Sequence, residues 1–175
     1  LKNKFIEDNL KAIEDIKNKV ENMVVIVGFV NKKNSKIYNS AAVIYKQKIL
    51  GIYNKKILPN YGVFDEKRYF QEGNEIGIYE IDGFKFGITI CEDIWHENGP
   101  YNEQIKNGVK CIFTINASPY HFRKIKEREK LVRRICSKNN IFLFYTNLVG
   151  GQDELVFDGQ SFVMNPKGEI VKKAK

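Results

Sequence analysis

Apolar residues recur along this chain with two different periods, and the change from one to the other marks out its elements. Ile6, Leu10, Ile13 and Val20 stand three, four or seven positions apart between charged neighbours, which predicts an amphipathic helix over residues 5–19. Residues 23–30, MVVIVGFV, are a nearly continuous β-branched run and predict a strand buried on both faces, with a turn at residues 31–35. Residues 38–45 and 49–54 read as two further strands joined by a short Lys-Gln-Lys connection. Pro59, Asn60 and Gly62 end regular structure, so residues 58–73 are predicted as a loop. Strands at 75–81 and 84–90 follow, joined by the Asp82-Gly83 pair of a tight hairpin turn.

Beyond Cys91 the pattern alternates between strand and helix. A short helix is expected at 101–107, a strand at 111–115, a charged helix with one apolar face at 123–138, and a strand at 141–146. Gly150 and Gly151 open a predicted loop, and strands at 161–164 and 169–171 flank a turn at Asn165, Pro166, Lys167 and Gly168. Strands alternating with helices, together with hairpins, define an α/β domain with a mixed sheet. The 175 residues contain no internal repeat and no low-complexity linker, so one domain is expected.

Composition narrows the class. With 43% hydrophobic and 13% aromatic residues the chain is globular rather than disordered. It has no apolar run of some 18 residues and no charged-then-apolar leader, so no membrane span is expected and the cytoplasm is the default. Cys91, Cys111 and Cys136 are an odd number at wide spacings, which suits reduced thiols and implies neither a disulfide framework nor a metal site. The formal charge of +8 comes mainly from scattered lysines, with arginine only at positions 68, 123, 128, 133 and 134, an arrangement unlike a nucleic-acid surface.

Candidate chemistry centres on Cys91, which ends the alternating strand of residues 84–90 and is followed at once by Glu92 and Asp93. Acidic residues there suit the first turn of a helix, whose unpaired N–H groups would favour a thiolate. A nucleophile and a small buried hydrophobe are both open readings of such a thiol. Three other stretches bear on the choice: Lys55 in the K-x-x-L-P pattern with Leu58 and Pro59, NASPYHFRK at residues 116–124, and NLVGGQDELVFDG at 147–159. With CEDIW at 91–95, their order and spacing resemble the glutaminase domain of glutamine-dependent NAD synthetases, a branch of the nitrilase-like carbon-nitrogen hydrolases.

The resemblance implies a four-layer αββα sandwich, two sheets face to face with helices outside. It implies hydrolysis of the glutamine side-chain amide through a cysteine thioester, supplying ammonia for ATP-dependent NAD synthesis from nicotinic acid adenine dinucleotide in a partner synthetase domain. Cys91 would be the nucleophile and Lys55 the cation on the oxyanion, preferred over Lys56 by its spacing to Leu58 and because side chains alternate along a strand. Glu66 matches a supporting glutamate near the lysine, or is surface charge. Tyr61, Ser118 and Lys124 fall where the family contacts glutamine, although Ser118 before Pro119 is also ordinary turn chemistry. Glu92 would meet the substrate ammonium or cap a helix. His96 and His121 receive no catalytic role, and Cys111 and Cys136 are expected in the core. No cofactor is implied in this domain, ATP and Mg belonging to the synthetase part. The expected partners are L-glutamine, a C-terminal synthetase domain and further copies in a homo-oligomer, with no nucleic acid and no membrane.

In the family the catalytic glutamate follows a first strand and precedes a segment like FIEDNLKAI. Glu7, Glu14 and Glu21 lie on the predicted helix or at its end, so that strand and glutamate are expected to be missing from residues 1–175, a partial hydrolase domain. Hydrolysis by these residues alone is therefore expected to be poor. Two other classes compete: a free-standing nitrilase-family amidase with another substrate, and a non-catalytic basic binding module. GGQDELVFDG favours the synthetase branch, while binding that survives loss of Cys91 and vanishes with salt would mark the module.

Overall fold

Helix α1 (Asn3–Lys17) turns Ile6 and Ile13 inward and begins slightly ahead of its expected start. The computed structural model describes residues 2–174. They fall into two units, Leu1–Tyr79 and Glu80–Lys175.

In the first unit α1 precedes an antiparallel sheet of order β1-β2-β3, formed by β1 (Val25–Lys33), β2 (Lys36–Tyr45) and β3 (Lys48–Asn54). Both hairpins turn on two residues with positive φ, Asn34 and Ser35 in one and Lys46 and Gln47 in the other, the twist that two-residue hairpins require. Ile13, Val20, Phe29, Ala42 and Ile44 form the core, with Leu10, Ile16 and Val27 packed around it. Asn9 of α1 fixes the helix to the sheet edge: its Nδ2 donates to the Val30 carbonyl at 2.8 Å and its Oδ1 accepts from the Val30 N–H at 3.3 Å. These bonds occupy edge groups that would otherwise be open to another strand.

The expected doubly buried strand at 23–30 is not found there. Met23 and Val24 are exposed and precede the strand, and β1 is mostly half-buried because it lies at the edge of this sheet. The fully buried run falls instead on central β2, from Ser40 to Ile44. Past β3 the chain leaves the sheet and returns to it. The Lys55 N–H donates to the Asn39 carbonyl at 2.8 Å, and the Lys55 carbonyl accepts from Gly73 N–H at 2.9 Å. The predicted loop 58–73 is present, with a single 3-10 turn at Glu66–Arg68.

A six-stranded mixed sheet of order β11-β10-β7-β6-β5-β4 makes up the second unit, apart from the first two residues of β4. Its strands are β4 (Ile78–Ile81), β5 (Phe84–Ile90), β6 (Cys111–Asn116), β7 (Phe142–Asn147), β10 (Phe162–Met164) and β11 (Ile170–Lys173). β5, β6 and β7 are parallel, whereas β10 runs antiparallel to both β7 and β11. The crossovers carry α2 (Tyr101–Lys106) and α3 (Lys124–Asn139). Leu131, Val132, Ile135 and Cys136 of α3 are buried, and Asn140 ends the helix in the left-handed conformation that suits such a cap. Ile112, Ile141 and Leu143 are fully enclosed, each contributing about 1.5–3 kcal/mol of apolar burial. The stretch expected as a loop around Gly150 and Gly151 forms a hairpin of β8 (Val149–Gln152) and β9 (Leu155–Asp158). Its glycines lack the alternating apolar pattern from which a strand is read.

Gly73 sits where the returning loop crosses β3, and a Cβ there would lie 2.1 Å from the Asn54 carbonyl oxygen. Gly73→Ala should therefore force the backbones apart and lower the thermal unfolding midpoint by roughly 2–10 °C. Calorimetry on the purified variant checks this, and an unchanged midpoint would mean that the crossing yields freely.

Candidate active site

Cys91 stands at the carboxyl end of β5 with φ of 46°, a left-handed backbone that costs an L-residue about 1–2 kcal/mol. The conformation is held from both sides. The Asp93 carboxylate accepts from the Ile90 N–H at 2.9 Å, and residues Cys91–Ile94 close a single 3-10 turn. The sequence had suggested a full helix after the thiol, with free N–H groups near the sulfur. Here the turn is four residues long, Asp93 is consumed as its cap, and Glu92, only 6% exposed, is placed 3.1 Å from the His96 ring. Glu92 is buried and meets the exposed His96, a pairing that composition did not show.

Register brings further residues to the same edge. Ile90 pairs with Ile115, and Asn116 pairs with Asn147, so the ends of three parallel strands lie side by side. Asn147 Oδ1 accepts from the Ser118 N–H at 2.9 Å while its Nδ2 donates to the Gly159 carbonyl at 3.0 Å. Ser118, 4% exposed, is thus fixed through its backbone. Its side chain and carbonyl are taken by Arg128 of α3: Nε donates to Ser118 Oγ at 3.3 Å and Nη2 to the Ser118 carbonyl at 2.8 Å. Arg128 is completely buried and its Nη1 pairs with Asp158 at 2.7 Å. Burial alone would raise the Asp158 carboxyl, but the hydrogen bond and charge of Arg128 outweigh it and hold the group below the ordinary aspartate range. The Tyr145 phenol is buried beside these groups, and its pKa is pushed up by that burial and then by the Cys91 charge.

Lys124 lies at the start of α3 with its ammonium 4.2 Å from the centre of the Trp95 ring, and Trp95 directly follows the Cys91 turn. It also pairs with Glu127 at 3.0 Å. In the first unit Lys55, 1% exposed, donates to Glu66 Oε1 at 2.5 Å, and Glu66 Oε2 accepts from Asn39 at 3.3 Å. Glu66 is therefore the partner of the predicted lysine rather than surface charge. Tyr61 is exposed and sets its ring edge-on to Phe64, with centroids 5.7 Å apart. A cavity of about 240 Å³ beside α2 and α3 is lined by Glu97, Tyr101, Arg134 and Lys138, none of them a predicted site residue. Among the described residues no group of His, Cys, Asp and Glu side chains is arranged to hold a metal.

Cys91, Ser118 and Lys124 thus gather in the second unit, and Lys55 and Glu66 pair in the first. Sequence reasoning missed Arg128, Asp158 and Asn147. A signal for Arg128 existed: it stands three residues after Ile125 and three before Leu131, on the apolar stripe of its helix. A cation on that stripe must find partners or stay out of the core.

The chain belongs to the carbon-nitrogen hydrolase family, whose profile matches residues 8–175. It is 43% identical over 172 residues to the glutamine-dependent NAD(+) synthetase of Aquifex aeolicus, covering 98% of this chain and 30% of that protein. The structure of the glutamine-dependent NAD+ synthetase from Acinetobacter baumannii in complex with ADP superposes with a TM-score of 0.91 at 40% identity, over 97% of this chain and 32% of that one. An amidase of the nitrilase superfamily from Nesterenkonia superposes at 0.83 with 19% identity, over 97% and 63% of the two chains, and shares the fold. That fold is the nitrilase-superfamily α/β fold with a mixed sheet. This chain spans about 30% of the length of the curated relatives it matches.

No helix among the described residues is long and apolar enough to cross a membrane. Burial pushes the Cys111 thiol up to about 11, and burial together with the neighbouring Cys111 pushes Cys136 to about 12. Both shifts are upward, so burying these thiols contributes stability that is present below about pH 9 and lost as pH rises through 11–12. Iodoacetamide at pH 8 should therefore label Cys91 alone in the folded protein and all three cysteines in denaturant. Peptide mass mapping reads the result, and labelling of Cys111 or Cys136 before Cys91 would contradict the assignment.

Proposed function

We propose that this chain is the glutaminase part of a glutamine-dependent NAD synthetase. The single observation that carries the reading is Cys91 in a left-handed turn at the end of β5, in a chain of the carbon-nitrogen hydrolase family that is 43% identical to such a synthetase. The strain at Cys91 supports a nucleophile, because a buried structural thiol has no need of an unfavourable backbone.

In this reading the Cys91 thiolate attacks the side-chain amide carbon of glutamine, forming the carbon–sulfur bond as the carbonyl π pair moves to oxygen. The oxyanion is met by the Lys55 ammonium, which has three N–H donors and gives one to Glu66. Glu66 and Asn39 hold the lysine in place. Collapse of the tetrahedral species breaks the carbon–nitrogen bond, and nitrogen leaves as ammonia. Water then cleaves the thioester and returns the thiol with glutamate. The proton transfers fall to the family's glutamate, for which no residue of this chain is assigned. Ser118, Lys124, Tyr61 and Glu92 are the proposed contacts to the polar α-amino acid end. The ammonia would serve amidation of nicotinic acid adenine dinucleotide in a C-terminal synthetase domain that carries ATP and Mg, within a cytoplasmic homo-oligomer. This part itself takes no cofactor.

In the complete protein, rapid quench with glutamine should leave a glutamyl adduct on Cys91 by intact-mass and peptide analysis, absent in Cys91→Ala. Turnover retained by Cys91→Ala would sink the reading. Lys55→Ala should lower kcat about a hundredfold or more with little change in KM, because its contact strengthens in the transition state. Lys56→Ala should be nearly silent, and the reverse pair of phenotypes would move the role to Lys56. Circular dichroism must accompany Lys55→Ala, since unpairing a buried partner can itself cost about 3–5 kcal/mol.

A further inference from the structure

Arg128 is the largest fully buried side chain of the protein, and none of its nitrogens is directed at solvent. Three of them are bonded: Nε to Ser118 Oγ, Nη1 to Asp158, and Nη2 to the carbonyls of Ser118 and Pro119 at 2.8 and 3.2 Å. The segment it holds is otherwise tied by Asn147 at the Ser118 N–H and by the Val156 carbonyl at the Tyr120 N–H. Residues 117–123 between β6 and α3 belong to neither a sheet ladder nor a helix, so side chains and isolated backbone bonds define their course. On the far side Asp158 ends β9, and the same hairpin receives the Tyr120 N–H at the Val156 carbonyl, 2.7 Å away. One guanidinium therefore ties the Ser118 segment to the β8–β9 hairpin. The Ser118 segment leads directly into Lys124, whose ammonium lies 4.2 Å from the centre of the Trp95 ring, and Trp95 directly follows the Cys91 turn.

We propose that Arg128 is a positioning residue: by holding Ser118 at both its hydroxyl and its carbonyl, it fixes the segment that receives the α-amino acid end of the substrate beside Cys91. The inference rests on the glutaminase reading. Stability alone does not account for it, since buried ion pairs can often be replaced by apolar side chains of similar volume without loss. Arginine offers what an apolar side chain cannot, a rigid fork that sets several acceptors at once. Its action is on recognition and not on the intrinsic reactivity of the thiol. Arg128→Lys keeps the charge but loses the fork, and Asp158→Asn leaves Arg128 in place with a weakened anchor.

The test uses the protein expressed from its complete coding frame. Cys91 is alkylated with iodoacetamide, with a chloroketone bearing the α-amino acid end of glutamine, and with a chloroketone lacking that end. Arg128→Lys should slow the glutamine-shaped reagent roughly 10- to 100-fold, the range expected of a small misplacement, and leave iodoacetamide unchanged. Asp158→Asn should act in the same direction, and it decides alone if Arg128→Lys does not fold by circular dichroism. Equal slowing of all reagents, or unchanged rates in folded variants, overturns the positioning role while the glutaminase reading stands. If the unsubstituted protein does not prefer the glutamine-shaped chloroketone to its truncated analogue, the glutaminase reading fails and this inference falls with it.

Discussion

Parallel pairing of β5, β6 and β7 is the constraint from which the chemistry of the second unit follows. Parallel neighbours cannot be joined by a tight turn, so each connection must leave one edge of the sheet and return to the other. The first carries the Cys91 turn and α2, and the second carries the Ser118 segment and α3. Both leave from the same edge, where Asn116 and Asn147 pair in register. A slip of one residue in β5 would carry Cys91 to the opposite face of the sheet. Ladder geometry therefore decides which side chains can cooperate before any of them interacts.

What the ladder brings near, polar side chains then fix. Asn147 joins three segments: its side chain accepts from the Ser118 N–H and donates to the Gly159 carbonyl, and its backbone N–H donates to Ser161 Oγ at 3.0 Å. Asp93 caps Ile90 from three residues ahead and makes the unfavourable backbone at Cys91 tolerable. Each group is an amide or carboxylate on a short side chain, suited to local backbone geometry because little rotamer entropy is lost. The arrangement leaves Cys91 half-exposed at the start of the turn that Asp93 caps.

Periodic elements were legible in the sequence because burial on one face leaves a periodic trace. The helix at 123–138, the strands at 84–90, 111–115 and 141–146, and the Asp82-Gly83 turn lie within a residue or two of their expected places. The β8–β9 hairpin was not legible, since its strands are short and β8 is exposed and interrupted by Gly150 and Gly151. The strand at 23–30 was misjudged for a related reason: a β-branched run records strand propensity, and only the neighbours in the sheet decide whether it is buried. Among the candidate residues, Cys91 and Lys55 stood out through motif and spacing. Arg128 did not, because a charge in a highly charged helix looks solvated until the helix is seen from its apolar side.

The two buried cations are built differently, and on the proposed reading the difference separates holding from reacting. Arg128 spends its fork on fixed acceptors: a hydroxyl, two carbonyls and a carboxylate, all within the protein. Lys55 carries its charge as a compact ammonium whose bond among the described side chains is to Glu66. An ammonium with one fixed acceptor retains donors for a group that appears only during a reaction, whereas a fork already committed at three nitrogens does not. Exchanging the two residue types would fail in both places. A lysine at 128 could not span Ser118 and Asp158 in fixed geometry, and an arginine at 55 would need more acceptors than Glu66 supplies. On the proposed glutaminase reading, the choice of cation at each position follows from whether its partners are present throughout or arrive with the substrate.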